Sequence, residues 1–166
     1  MLSHLDSLYQ RYGVFQSSLL RLQDDMPGVG SYINHFGSWD EAFQHLYRKE
    51  RDCARRTVQD LISQQVAEVL SYSDFLVLNR KLALSIQPAV PVPHGYTQYW
   101  PVRPDSRSVI DITLGVLLSE PNGFEILGYL AVPRLLGGTN LLRVSPTSPR
   151  IELFGRNDLT FLRNLV

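Results

Sequence analysis

The spacing of the apolar residues changes near residue 71, and that change decides which class of fold is open to the chain. Upstream, Leu2, Leu5, Leu8, Tyr9 and Tyr12 recur every three or four residues, which lays one apolar stripe along a helix that Gly13 ends. Ser17 is placed to cap a short second helix carrying Leu19, Leu20 and Leu22. Pro27 keeps Met26 out of helical geometry, so the stretch from Asp24 to Gly28 reads as a turn. A third helix over Val29–His35 turns Tyr32, Ile33 and Phe36 inward and stops at Gly37. Ser38-Trp39-Asp40-Glu41 has the pattern of a capping box, in which the serine hydroxyl accepts a backbone N–H and the glutamate reaches back to the cap residue. Phe43, Leu46, Tyr47, Ala54, Val58, Leu61, Ile62, Val66, Val69 and Leu70 then carry a helical stripe to about Ser71, with room for a bend near Arg51.

Downstream the apolar residues fall in short runs separated by turn residues. Phe75–Leu78, Asn79-Arg80 and Lys81–Ile86 read as a hairpin, because Asn79 tolerates left-handed geometry. Gln87–Gly95 is proline-rich and expected to be a loop, and Tyr96–Val102 is expected to be extended. Val109–Leu118 and Glu125–Val132 are strands joined through Pro121-Asn122-Gly123, and Gly137-Gly138-Thr139-Asn140 leads into a strand over Leu141–Val144. Pro146–Pro149 is a loop and Ile151–Phe154 a last strand. Asn157 or Asp158 caps a final helix holding Leu159, Leu162 and Leu165. Helices followed by strands give an α+β fold. It has an N-terminal helical, helix-turn-helix-like unit over residues 1–71, then a mainly antiparallel β-region over 72–166 with a short C-terminal helix.

At 166 residues, 44% hydrophobic and 19% charged, the chain can bury a core and is not of a disordered class. Its apolar runs stop well short of the ~18 residues a membrane helix needs. Met1-Leu2-Ser3-His4 lacks the basic and apolar regions of a secretory signal, and the one cysteine, Cys53, has no internal disulfide partner. These features point to a cytoplasmic protein without membrane contact, nucleoid-associated if it binds DNA. Sixteen basic and sixteen acidic side chains cancel overall but not locally. Residues 1–47 carry two arginines against five carboxylates, whereas Arg48, Lys49, Arg51, Arg55 and Arg56 stand within nine residues beside only Glu50 and Asp52. A nucleic-acid contact would have to be a local patch.

Little in the chain suggests catalysis. His4, His35, His45 and His94 are scattered and Cys53 stands alone, so neither a metal site nor a cofactor is expected. Asp111 and Glu125 on neighbouring strands resemble the acids of a metal-dependent nuclease, but the position where a lysine would activate water is Leu127. No phosphate loop, nucleophile elbow or His-Glu-x-x-His motif is present, and Gly137-Gly138 is read as a turn. The helical region carries more. A short helix, a Pro27-Gly28 turn and a second short helix have the spacing by which one helix enters a major groove while its neighbour crosses the backbone. Gly30, Ser31, Asn34 and His35 would then face bases or phosphates, and Arg48, Lys49, Arg51, Arg55 and Arg56 would neutralise phosphates.

Met26-Pro27, Tyr32, and His35-Phe36-Gly37-Ser38-Trp39 with Ala42-Phe43 resemble the homing-endonuclease-associated repeat, which also occurs in the C-terminal accessory region of bacterial serine site-specific recombinases. The likeness extends through Arg51-Asp52, Val77-Leu78-Asn79, Tyr99-Trp100, Pro104-Asp105, Asp111-Ile112-Thr113, Gly128–Pro133 and Phe154-Gly155-Arg156. The resemblance implies a non-catalytic module that contacts double-stranded DNA and serves recombination or mobile elements, with a recombinase or other protein subunit as a further partner. It departs from the repeat at Gly28, where serine is usual, and in lacking arginines up to His35. Two alternatives stand beside it. One is a protein-interaction or oligomerisation module using Leu127, Tyr129, Leu135 and Leu136; the other is a degenerate metal-dependent nuclease built on Asp111.

Overall fold

The computed structural model describes residues 1–122, 125–134 and 140–166. The expected positions Gly123, Leu135, Leu136, Gly137, Gly138 and Thr139 lie outside them. The fold is α+β, with helices first, a mostly antiparallel sheet region next and a short C-terminal helix.

Helix α1 (Leu2–Tyr12) buries Leu5 and Leu8 and ends at Gly13, whose φ of 68° is the left-handed geometry that glycine takes without strain. Ser17–Leu22 forms a 3-10 helix rather than an α-helix, and it begins after an extended Gln16, so Ser17 is inside the turn and caps nothing. α2 (Val29–Phe36) and α3 (Trp39–Leu46) follow. Ser38 caps α3 as its sequence suggests, its Oγ accepting the Glu41 N–H at 3.1 Å. The Glu41 carboxylate does not close the box; it accepts from Arg103 Nε at 3.2 Å. The bend expected near Arg51 falls earlier, at Tyr47, whose φ and ψ of −111° and 34° separate α3 from α4 (Arg48–Gln65). Ala54, Val58 and Ile62 form the buried stripe of α4 at a four-residue repeat.

The helix does not run on to Ser71. Val66 is already extended, and Val69–Ser71 is strand β1, paired antiparallel with β2 (Leu76–Leu78). A local backbone clamp decides this. Asn79 Oδ1 accepts the Glu68 N–H at 2.9 Å, and the Asn79 N–H donates to the Glu68 carbonyl at 2.8 Å. The hairpin from β2 to β3 (Leu82–Ala89) turns through Asn79 and Arg80 at φ 47° and 56°, closed by the Lys81 N–H on the Leu78 carbonyl. Two successive positive φ values mark a type I′ turn, whose twist matches that of paired strands.

Beyond β3 come β4 (Val92–His94), β5 (Thr97–Val102), β6 (Ile112–Leu118), β7 (Ile126–Pro133) and β8 (Leu142–Val144). Gln87–Gly95 is therefore the end of one strand, a link and another strand, not a loop. Among the described residues the larger sheet runs β1-β2-β3-β6-β7-β9, β9 being Gly155–Arg156, and a smaller one runs β4-β5-β8. One pairing departs from the antiparallel expectation: β3 and β6 are parallel, Leu84 opposite Ile112 through Ala89 opposite Leu117. The β4–β5 hairpin lies in the crossover between them. Pro149–Phe154 is helix α5, not a strand, with Pro149 in its first turn and Ser148 Oγ accepting the Arg150 N–H. The C-terminal turn follows Asp158, which accepts from the Thr160 N–H at 3.0 Å, and leads into α6 (Leu162–Leu165). Leu159 and Leu162 are buried there and Leu165 is exposed.

Strand alternation divides the core. Ile112, Leu114, Val116 and Leu118 of β6 face the helices and join Leu5, Tyr32, Phe43, Val58 and Ile62. Leu117 faces the other way, into a smaller cluster with Trp100, Val102, Leu130, Val132 and Val144. Gly115 lies on this second side, where a Cβ would come within 3.1 Å of Val102 Cγ1, so the two sheets meet over a missing side chain. The Trp100 indole donates to the Leu118 carbonyl at 2.8 Å, which removes the cost of burying that N–H.

The edge of β3 beyond its pairing with β2 is closed by helical side chains. Arg55 Nε donates to the Ile86 carbonyl at 3.3 Å and Arg51 Nε to the Pro88 carbonyl at 2.8 Å. Gln44 brackets Val90, its Nε2 donating to the Val90 carbonyl at 2.9 Å and its Oε1 accepting the Val90 N–H at 2.8 Å. Pro88 costs nothing at this edge, because no neighbouring strand there requires its missing N–H. Arg51→Ala leaves the Pro88 carbonyl without its donor and is expected to lower unfolding free energy by ~1–3 kcal/mol. Arg56→Ala, at an exposed position, should stay within ~0.5 kcal/mol. Urea unfolding of both variants checks this, and equal midpoints would remove the role given to Arg51.

Candidate nucleic-acid interface

The sequence places a candidate reading face on α2, and the residues assigned to it are exposed. Tyr32 is fully buried, Val29 and Phe36 are half-buried, and Gly30, Ser31, Asn34 and His35 are exposed. Ile33 was expected inward and is 42% exposed. The reason is geometric: a short helix seated by Val29, Tyr32 and Phe36 leaves a side chain one residue past Tyr32, about 100° round the axis, at the edge of the contact. Tyr32 meets Trp39 edge to face at 5.7 Å, and Phe36 meets His45 of α3 at 5.1 Å. The neighbour packed against α2 is thus α3, and the element before the Pro27 turn is the 3-10 helix.

The five clustered cations do not act as one patch. Arg51 and Arg55 bend onto β3 as described, and Arg55 also donates to Asp52 at 3.0 Å. Burial chiefly lowers the pKa of Arg51, the neighbouring Arg55 charge adds to this, and Glu41 and Asp52 oppose it. Arg48 is 77% exposed and lies 3.8 Å from Asp52. Lys49 and Arg56 are exposed and make no ion pair among the described residues. Along an α-helix Lys49 and Arg56 fall on one side seven residues apart, away from the stripe of Ala54, Val58 and Ile62.

Two arginines that the sequence reading passed over stand near α2. A groove of about 540 Å³ begins at Phe36 and Gly37 and is walled by Arg51, Arg103 and Arg107 with Glu41 and Asp105. Arg103 pairs with Glu41, and Arg107 holds Asp105 through Nε at 2.9 Å and also bonds Asp74. Hydrogen bonds from Arg107 hold the Asp105 carboxyl below its ordinary range, against the opposing effect of burial. Arg103-Pro104-Asp105-Ser106-Arg107 alternates charge with turn residues, which reads as a solvated loop until the fold carries it beside α2.

The residues weighed for other chemistries are engaged elsewhere. Asp111 Oδ2 accepts the Ala83 N–H at 2.8 Å, so this carboxylate ties β3 to the start of β6, while Glu125 is exposed. Tyr129 is buried in the core and Leu127 is half-exposed. Cys53 is a half-buried free thiol on α4. Among the described residues no three His, Cys, Asp or Glu side chains converge.

His45 connects α2, α3 and α4 electrostatically. Its pKa is lowered from 6.5 first by burial and then by Arg51, Arg48 and His35, with Glu41 acting the other way. The folded state therefore binds fewer protons than the unfolded one. The stability that His45 contributes is complete above 6.5 and is lost as pH falls from there through the lowered folded value. His45→Gln should flatten the fall in Tm between about pH 7 and 5, measured by thermal melts; an unchanged slope would take His45 out of that account. Compared with known proteins, the chain matches no family model, no curated protein and no solved structure.

Proposed function

We propose that the chain is a non-catalytic DNA-binding module linked to site-specific recombination or mobile elements. The observation that carries the reading is the exposed polar face of α2, Gly30, Ser31, Asn34 and His35, which ends beside the arginine-walled groove at Phe36 and Gly37. Asn34 has the paired donor and acceptor that adenine offers in the major groove, and Ser31 and His35 suit a base edge or a phosphate. Gly30 is exposed and has no side chain to stand between its backbone and a phosphate. The link to recombination rests on the resemblance carried by His35–Trp39. A recombinase or another subunit would then be the protein partner.

The structure changes which cations this reading uses. Arg51 and Arg55 hold the β3 edge, so phosphate neutralisation falls to Arg48, Lys49 and Arg56. Each such contact releases counterions, so three contacts give a salt slope near −2.7, at about −0.9 per phosphate. In gel shifts of a duplex across a salt series, Lys49→Ala and Arg56→Ala should each weaken binding and reduce the slope by about 1. Asn34→Ala should weaken binding and leave the slope unchanged. No shift at the lowest salt, or wild-type slopes in both cation variants, would overturn the reading. A second reading, an interaction module, is favoured by Leu127, which is 50% exposed on β7 near the two-residue edge strand β9. Sedimentation showing self-association that ignores DNA would select it.

A further inference from the structure

A buried carboxylate, Asp40, lies outside the α2 face and plays no part in the DNA contacts proposed for it. Asp40, in the first turn of α3, is 1% exposed. Its Oδ1 accepts the Tyr99 hydroxyl at 2.5 Å and its Oδ2 accepts Arg143 Nε at 2.9 Å. A buried charge is costly unless paired, and replacing such a pair by apolar groups is commonly no worse for stability. What this arrangement achieves is to immobilise Arg143. The guanidinium lies over the Tyr99 ring at 5.5 Å and is tied through Nε alone, while the side chain remains 66% exposed. Among the described residues its two Nη groups have no acceptor, so they present N–H donors to an open cleft.

That cleft has a volume of about 560 Å³ and is lined by Trp39, Asp40, His94, Thr97, Tyr99 and Arg143, with Ser17 and Ser18 also in its lining. His94 stands 6.2 Å from the Tyr99 ring, on the hairpin that pairs His94 with Thr97. At the tip of that hairpin Gly95 takes φ 60° and Tyr96 is fully exposed, its ring packing on nothing. The same three-stranded sheet carries His94, Thr97, Tyr99 and Arg143, since β5 pairs with β4 on one side and with β8, bearing Arg143, on the other.

We propose that this cleft binds a nucleotide, its phosphate on the Arg143 fork and His94 and its base leaving the cleft to stack on Tyr96, which stands at the hairpin tip between the lining residues His94 and Thr97. The fork geometry of guanidinium matches phosphate oxygens. A phenol ring standing in water adds nothing to the fold, but base–aromatic stacking gives it a partner of any sequence. The ligand chemistry is a phosphate ester bearing a planar base, supplied either by an unpaired stretch of DNA or by a free nucleotide. The proposal deepens the DNA-binding reading and rests on it for its partner, yet it uses residues separate from α2 and α4.

Fluorescence anisotropy of the full chain with a short labelled oligothymidine tests it, with Arg143→Gln and Tyr96→Ala as variants, duplex gel shifts in parallel and AMP as competitor. Oligothymidine binding should weaken about tenfold in each variant. Competition by AMP would assign the site to free nucleotides as well, and its failure would assign it to the polynucleotide strand. Tyr96→Ala removes a ring without packing contacts, so its fold is preserved even if Arg143→Gln, which leaves Asp40 half-paired, unfolds. If both variants bind oligothymidine as the wild type does, or the wild type shifts duplex but ignores oligothymidine, the cleft proposal falls and the α2 reading stands. Arg143-dependent oligothymidine binding with no duplex shift would keep the cleft and remove α2.

Discussion

The unpaired edge of β3 is the constraint on which the rest of the molecule depends. Beyond Leu84 the strand has β6 on one side only, and the carbonyls of Ile86, Pro88 and, just past the strand's end, Val90 face the helices. Two strand residues advance about 6.6 Å and four helix residues about 6.0 Å. Arg55 and Arg51 therefore fall in step with Ile86 and Pro88 as α4 runs against the strand direction. Gln44, one helix earlier, completes the series at Val90 with both halves of its amide. Each bond is modest, but an open row of carbonyls would leave polar groups unpaired beside a core that includes Val58, Ile62 and Leu84. The same contact sets how α4 lies on the sheet, and through α3 it sets where α2 is presented.

This constraint reorders the electrostatics. A chain with no net charge has few cations to give a polyanion, and two of the five in its densest basic segment are bound to its own backbone. Others are held by carboxylates: Arg103 by Glu41, Arg107 by Asp105 and Asp74, Arg143 by Asp40. These pairings differ in consequence. Arg107 has Nε, Nη1 and Nη2 all engaged, whereas Arg143 is fixed through Nε and keeps its outer donors. An arginine oriented from behind by a buried acid is a prearranged donor, and one wrapped by two acids is part of a loop's structure.

Much of the local structure was legible because it depends on neighbours in sequence. Gly13 ends α1, Ser38 caps α3, and Asn79 turns the β2–β3 hairpin, each through bonds spanning a few residues. The readings that failed turned on a partner outside the local apolar pattern or on a missed cap. Val69–Ser71 continues a helical apolar stripe in sequence, yet it pairs with Leu76–Leu78 once Asn79 holds Glu68. Three prolines made Gln87–Gly95 resemble a loop, although Pro88 lies at an edge where an N–H is not required. Ile151–Phe154 is as apolar as a strand, and Ser148-Pro149 was the overlooked helix signal. At the candidate site the outward residues of α2 were legible from helical period, but Ile33 was not, because the width of the buried stripe depends on what α2 packs against.

The amino-acid order by itself determined the α+β class, the helical first half, the hairpin and the exposure of Gly30, Ser31, Asn34 and His35, since these follow from period, caps and turn chemistry within a few residues. Tertiary structure alone decided the parallel pairing of β3 with β6, the withdrawal of Arg51 and Arg55, and the meeting of Asp40, Tyr99 and Arg143 across 59 and 103 residues of sequence. The physical reason is that a side chain's hydrogen-bonding capacity is written in its type, whereas the acceptor it satisfies depends on which strand edge the folded chain brings within about 3 Å.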